Sequence, residues 1–193
     1  MALRTSVDLL RSTVAYDLVQ RVHEWRVGKP SDELFPIVDL MNVPGPLVPV
    51  DIIHSLRAVP PEDEPERDRV ARLFAVDCAE RSLIRAVHLG HTPDSRSWVA
   101  VNVARQYAEG CRSASDLAIA RSDALLASHS EDLAGLTAWA ASWRTASSSP
   151  CKAASGAAIA AAWYYLDDVP MSAIASELTY QTRALRALLA GES

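Results

Sequence analysis

Glycine is scarce in this chain, with seven in 193 residues. That leaves few positions where the backbone turns freely and favours long helices. Lysine is scarcer still: Lys29 and Lys152 are the only two, so arginine carries almost all the positive charge. Cysteine occurs three times, at 78, 111 and 151, an odd number with wide spacing and no CxxC. This excludes a disulfide framework and the usual zinc spacings, and reduced thiols are the expectation. No apolar run is long enough to span a bilayer. The opening "MALRTSVDLLRSTVAYDL" carries charges at helical spacing and lacks the unbroken apolar core of a signal peptide. A cytoplasmic location is therefore expected. GxSxG, P-loop, GxGxxG, HExxH and paired Glu-x-x-His motifs are all missing.

What is there reads as a folded, mostly helical protein. Nearly half the residues are hydrophobic, 22% are charged, and the net charge is −5. An acidic chain does not favour nucleic acid or a membrane surface, and is compatible with a basic partner. Residues 6–27 carry Val7, Leu10, Val14, Leu18 and Val22 at helical spacing, with Ser6 as a cap and Gly28 and Pro30 as a stop. Prolines forbid one long helix over 32–59, and short helices near 32–41 and 50–57 are expected. "PPEDEPE", residues 60–66, marks a boundary. Beyond it a helix is predicted over 65–89, ending at Gly90. A second opens with Thr92 as cap and Pro93 at its first position, and closes at Gly110. Ser113 or Ser115 caps a third, running to about 128. Residues 131–146, the Ala-rich stretch after "SSSP", and a last helix opened by Pro170 complete the set. In the last, Ile174, Leu178, Leu185 and Leu188 share a face. No strand pattern stands out. The expectation is an all-α bundle of about six long helices, with short extra helices near the N-terminus. Residues 1–64 form an extension packed on a 65–193 domain.

One stretch resists the pattern. "AVDCAERSLIRA", residues 75–86, puts Asp77, Glu80 and Arg81 where a core-facing stripe wants Leu or Ile. On a helical wheel Val70, Leu73, Phe74 and Ile84 fall on one side, with Asp77, Arg81 and His88 between them and Glu80 at the edge. Asp77 and Arg81 are i, i+4 neighbours, and buried charges persist only when paired. A structural ion pair is one reading. A polar cleft using Asp77, Glu80 and His88, in a metal-dependent or small-molecule-processing helical enzyme, is another.

The residues here carry a resemblance. "RLFAVDCAERSLIRA" followed by "TPDSRSWVAVNVARQYAEG" resembles a family of immunity proteins from bacterial polymorphic toxin systems. The matching positions are Asp77, Cys78, Ala79, Glu80 and Arg81, then Pro93, Asp94 and Arg96, then Arg105, Tyr107 and Gly110. The similar span runs over roughly residues 67–190. The chain departs from the family at Arg96-Ser97-Trp98, where relatives often show Arg-Pro-Arg. It departs again at Trp163-Tyr164-Tyr165, where they often carry a histidine. The resemblance implies an all-α, non-enzymatic protein without cofactor or metal that binds and neutralises a cognate toxin protein. Within that picture Asp77, Glu80, Arg81 and Arg96 are expected to form one network joining the 65–89 helix to the start of the next. A fully buried Arg81 would cost roughly 3–5 kcal/mol to remove. A helical scaffold or regulatory module, with residues 1–64 exchanged in a homodimer, is the remaining alternative.

Other residues have two readings each. His23, His54, His88, His91 and His129 are surface or helix-end histidines, or three of them meet around a metal. Cys151 lies near a helix start, which lowers a thiol pKa, or is a passive buried thiol. Trp139 and Trp143, i, i+4 neighbours, are inter-helix packing or an exposed partner patch.

Overall fold

A computed structural model describes residues 2–14, 16–45, 49–127, 140, 145–163 and 171–191. The protein is all-α, apart from a strand pair that the sequence did not announce: β1 (Arg4–Thr5) runs antiparallel to β2 (Phe35–Pro36).

The single helix expected over 6–27 is two. Ser6 Oγ accepts from Leu9 N and opens α1 (Val7–Arg11). The Ser12 and Thr13 hydroxyls then bond back to the carbonyls of Leu9 and Leu10, the local competition by which such residues interrupt a helix. The chain resumes as α2 (Tyr16–Trp25). A 3₁₀ helix over Ile37–Asn42 stands where a short helix was expected, followed by α3 (Pro49–Ser55).

From residue 64 the punctuation works largely as read. The long helix α4 (Glu64–His88) ends at Gly90, whose φ of +88° suits glycine. There His91 N bonds Ala86 O and Gly90 N bonds Val87 O, the paired bonds of a Schellman stop. The next helix, α5 (Ser95–Ala108), starts later than predicted. Its cap is Asp94 and not Thr92, because the Asp94 carboxylate takes the Arg96 N–H. A second Schellman stop closes it at Gly110, through Cys111 N to Gln106 O and Gly110 N to Tyr107 O. A capping box between Ser113 and Asp116 opens α6 (Ala114–Leu125). The last two helices are α7 (Pro150–Trp163) and α8 (Met171–Ala190). The predicted 131–146 helix falls almost wholly outside the described residues, as do Trp139, Trp143 and His129.

The core is organised around α4. One side carries Ala71, Ala75 and Cys78 into a cluster with Ala153, Ala154, Ala157, Ala158 and Ala161 of α7 and Leu185 and Leu189 of α8. The same cluster takes Leu10, Ile37, Leu40, Ile53 and Leu56 from the first sixty residues. The adjacent side of α4, with Val76, Ala79, Leu83 and Ala86, packs on Ala100, Val101 and Ala104 of α5 and Leu117 and Ala124 of α6. Ala71, Ala75 and Cys78 give α4 a run of small buried residues beside Val70 and Phe74, and the alanines of α7 join the same cluster. Of the wheel's apolar side, Val70 and Phe74 are buried in this cluster, Leu73 is half-buried and Ile84 is exposed.

Candidate functional site

The inward arc of small residues leaves Asp77, Glu80 and Arg81 on its flanks, where they reach other helices. Toward α8, the Tyr180 hydroxyl donates to Asp77 Oδ1 at 2.9 Å, and the Arg81 guanidinium lies 3.8 Å from the centre of the Tyr180 ring. Arg81 Nε donates to Glu177 Oε2 at 2.9 Å, and Arg85 Nη2 reaches the same oxygen at 3.1 Å. Glu177 is only 1% exposed, and Gln181 Nε2 donates to its other oxygen and to the Ala158 carbonyl on α7. An acid buried this deeply is held by charge-assisted bonds from two arginines. Toward α5, Arg105 Nη2 donates to Glu80 Oε2 at 2.6 Å.

The predicted network is therefore divided, and one member lies outside it. Asp77 and Arg81 join α4 to α8, while Glu80 joins α4 to α5. Arg96 does not return to α4: Nε and Nη2 bond the Asp94 carboxylate at 3.0 and 2.7 Å, within the first turn of its own helix. The physical reason is proximity, since the Asp94 cap is two residues away and already oriented by the Arg96 N–H. His88 is exposed at the end of α4, two to three turns beyond Glu80 and Asp77. The set Asp77, Glu80 and His88 does not converge.

Burial shapes the electrostatics of the seam. It pushes the Asp77 carboxyl above the usual aspartate range; the Tyr180 hydrogen bond and Arg81 oppose this, while Glu80 and Glu177 add to it. Asp77 Oδ2 is buried and meets no donor. Tyr180 is pushed up to about 12 by burial, by its bond to Asp77 and by that residue's charge. The neighbouring Cys78 thiol, fully enclosed, is raised well above its ordinary value by burial. Cys151 is likewise raised by burial, against the pull of Arg67 and Arg57, so its place at the start of α7 does not make it a ready thiolate.

Sequence reading missed Glu177, Gln181 and Arg72 as buried polar residues. Glu177 and Gln181 precede Leu185 and Leu189 at i, i+4 intervals on the inward face of α8, a spacing that was available as a signal. Arg72 is 2% exposed, donates to the Thr145 and Ser147 carbonyls at 3.2 and 2.9 Å, and lies 4.9 Å from the Tyr107 ring centre. Burial lowers its pKa. Among the described residues no three His, Cys, Asp or Glu side chains come together as a metal site. No described helix is long and apolar enough to cross a membrane. Comparison of the chain with family models, curated proteins and solved structures gives no match.

Proposed function

We propose that this chain is a non-enzymatic helical binding protein that acts in the cytoplasm and neutralises a cognate bacterial toxin protein by direct binding. The observation that supports it most is where the motif side chains go. Asp77, Glu80 and Arg81 are engaged by Tyr180, Arg105 and Glu177, so the ionic residues fasten one helix to two others. A scaffold fixed in this way presents surfaces, and it exposes apolar side chains along its helices. Ile84 and Val87 on α4, and Ile119 and Leu125 on α6, stand in solvent, as does Leu126 just after α6. The net charge of −5 suits a basic partner. The test is co-expression with the product of a neighbouring toxin-like gene. Restored growth together with a stable complex on gel filtration is expected; cells left unprotected would overturn the reading.

A further inference from the structure

A cleft of about 220 Å³ opens where α4, the end of α5 and the segment leading into α7 meet. Asp68, Arg69 and Arg72 of α4, Tyr107 of α5, and Ser148 and Pro150 line it. It is smaller than the clefts of about 300–1,000 Å³ that take drug-sized molecules.

Arg72 sets the chemistry of this cleft. It is 2% exposed, and its Nη1 serves the Thr145 and Ser147 carbonyls. Nε and Nη2 form the other edge of the guanidinium, and among the described residues that edge makes no hydrogen bond. Nor does any described carboxylate lie within ion-pair distance of Arg72. The Tyr107 ring, centred 4.9 Å away, covers the face of the guanidinium and not its edge. The other charges in the lining are matched. Asp68 accepts from Arg67 Nε at 2.7 Å, and Arg69 holds the two oxygens of Glu66 at 2.8 Å each. Arg67 also reaches the exposed Glu64, which stands outside the lining. A buried guanidinium without an acid is costly to the fold. Ser148 and Pro150 bring the start of α7, a helix of 14 residues, into the same lining. A helix start offers unbonded N–H groups and the positive end of its dipole.

We infer that this cleft binds a phosphate group, free or at the end of a small monoester, and that Arg72 holds it through Nε and Nη2. Two parallel donors on one edge match two oxygens of the anion. A carboxylate would spend both its oxygens on Arg72, whereas a phosphate keeps others for the start of α7. The bound group supplies the counter-charge that Arg72 lacks and ties α4 to α7. This inference is separate from the toxin-binding reading, since neither requires the other.

The test is titration of the full chain with inorganic phosphate, with glycerol phosphate and with acetate, at fixed ionic strength balanced by chloride. Calorimetry reads the affinity, and the NMR signal of the Arg72 Nε–H reads the place. Phosphate is expected to bind saturably at one site and to shift that signal, with acetate at least about tenfold weaker. Tighter binding of glycerol phosphate assigns the group to the end of a larger molecule, and equal binding assigns it to the free ion; either supports the inference. Arg72→Lys keeps the charge but loses the paired edge, and is expected to weaken phosphate by at least about tenfold. Because Arg72 also fastens the segment before α7, a second variant is needed that leaves it in place. Ser148→Asp puts a negative charge at an exposed position of the lining, should keep the wild-type melting temperature, and is expected to weaken phosphate by at least about tenfold. No saturable phosphate binding, binding that leaves the Arg72 signal unmoved, acetate binding equal to phosphate, or phosphate binding unchanged in folded Ser148→Asp would each overturn the inference.

Discussion

At Asp77 one carboxylate oxygen accepts from Tyr180 while the other is buried without a donor. Enclosure favours the protonated form, so the folded pKa lies above the ordinary aspartate value. Between those two values the folded chain holds more protons than the unfolded one, and stability falls as the pH rises through the window. Asp77→Asn has no such dependence at this position. Its melting temperature relative to wild type is therefore expected to climb between pH about 4 and pH 7. A difference that stays flat across that range would count against the argument. In the same variant the Tyr180 ionisation, seen by ultraviolet absorbance, should fall from about 12 as its charged partner is lost. Arg72 gives a second prediction. Its side chain serves two carbonyls of the segment that leads into α7. Arg72→Ala removes this donor from both and opens a void, with an expected loss of roughly 2–4 kcal/mol in denaturant melts. Residues 145–149 should become the first site of limited proteolysis. Nothing in the local pattern singles Arg72 out as buried, because its partners are backbone carbonyls some seventy residues away.

Helix ends were legible where the stopping chemistry is local. Gly90, Gly110, Ser6 and Ser113 each act through bonds to residues within about one turn, so their effect can be read directly from the chain. The orientation of α4 was not legible in the same way. The large apolar residues Val70, Leu73, Phe74 and Ile84 dominate a wheel, yet Ala71, Ala75 and Cys78 face the alanines of α7. Val70 and Phe74 are buried beside these small residues, while Asp77 and Arg81 lie at the flank of the buried side and reach α8. The consequence for energetics is measurable. Arg81 is 35% exposed, and Arg85 shares its acceptor, so Arg81→Ala should cost about 1–2 kcal/mol, less than full burial would imply. Glu177→Ala removes the buried acid that both arginines and Gln181 bond, with an expected cost of about 2–4 kcal/mol. Chemical denaturation of the two variants side by side checks the order. If Arg81→Ala were the worse of the two, Glu177 would not be the anchor of the seam.

Across the whole molecule, α4 separates two clusters, and the supply of side chains to them is lopsided. The cluster shared with α7 and α8 takes alanines from α7, and its bulky residues come largely from the first sixty positions: Leu10, Leu18, Phe35, Ile37, Leu40, Ile53 and Leu56. A boundary at "PPEDEPE" is visible in composition, but the packing runs through it. Arg4 on β1 binds Asp63, which flanks the start of α4, through its backbone N–H, Nε and Nη2. Each large aliphatic side chain buried there contributes roughly 1.5–3 kcal/mol relative to exposure, whereas an alanine face offers little area of its own. A chain cut to residues 65–193 would strip the bulky partners from the cluster that holds Phe74, Leu185 and Leu189. The stability of a native domain is only about 5–15 kcal/mol, so the loss of several such residues exceeds what the remainder holds in reserve. The truncated chain is accordingly expected to lose its cooperative thermal transition while keeping part of its helical circular dichroism, and to bind a hydrophobic dye. A sharp transition close to that of the full chain would show instead that the second cluster, with α5 and α6, stabilises the remainder by itself.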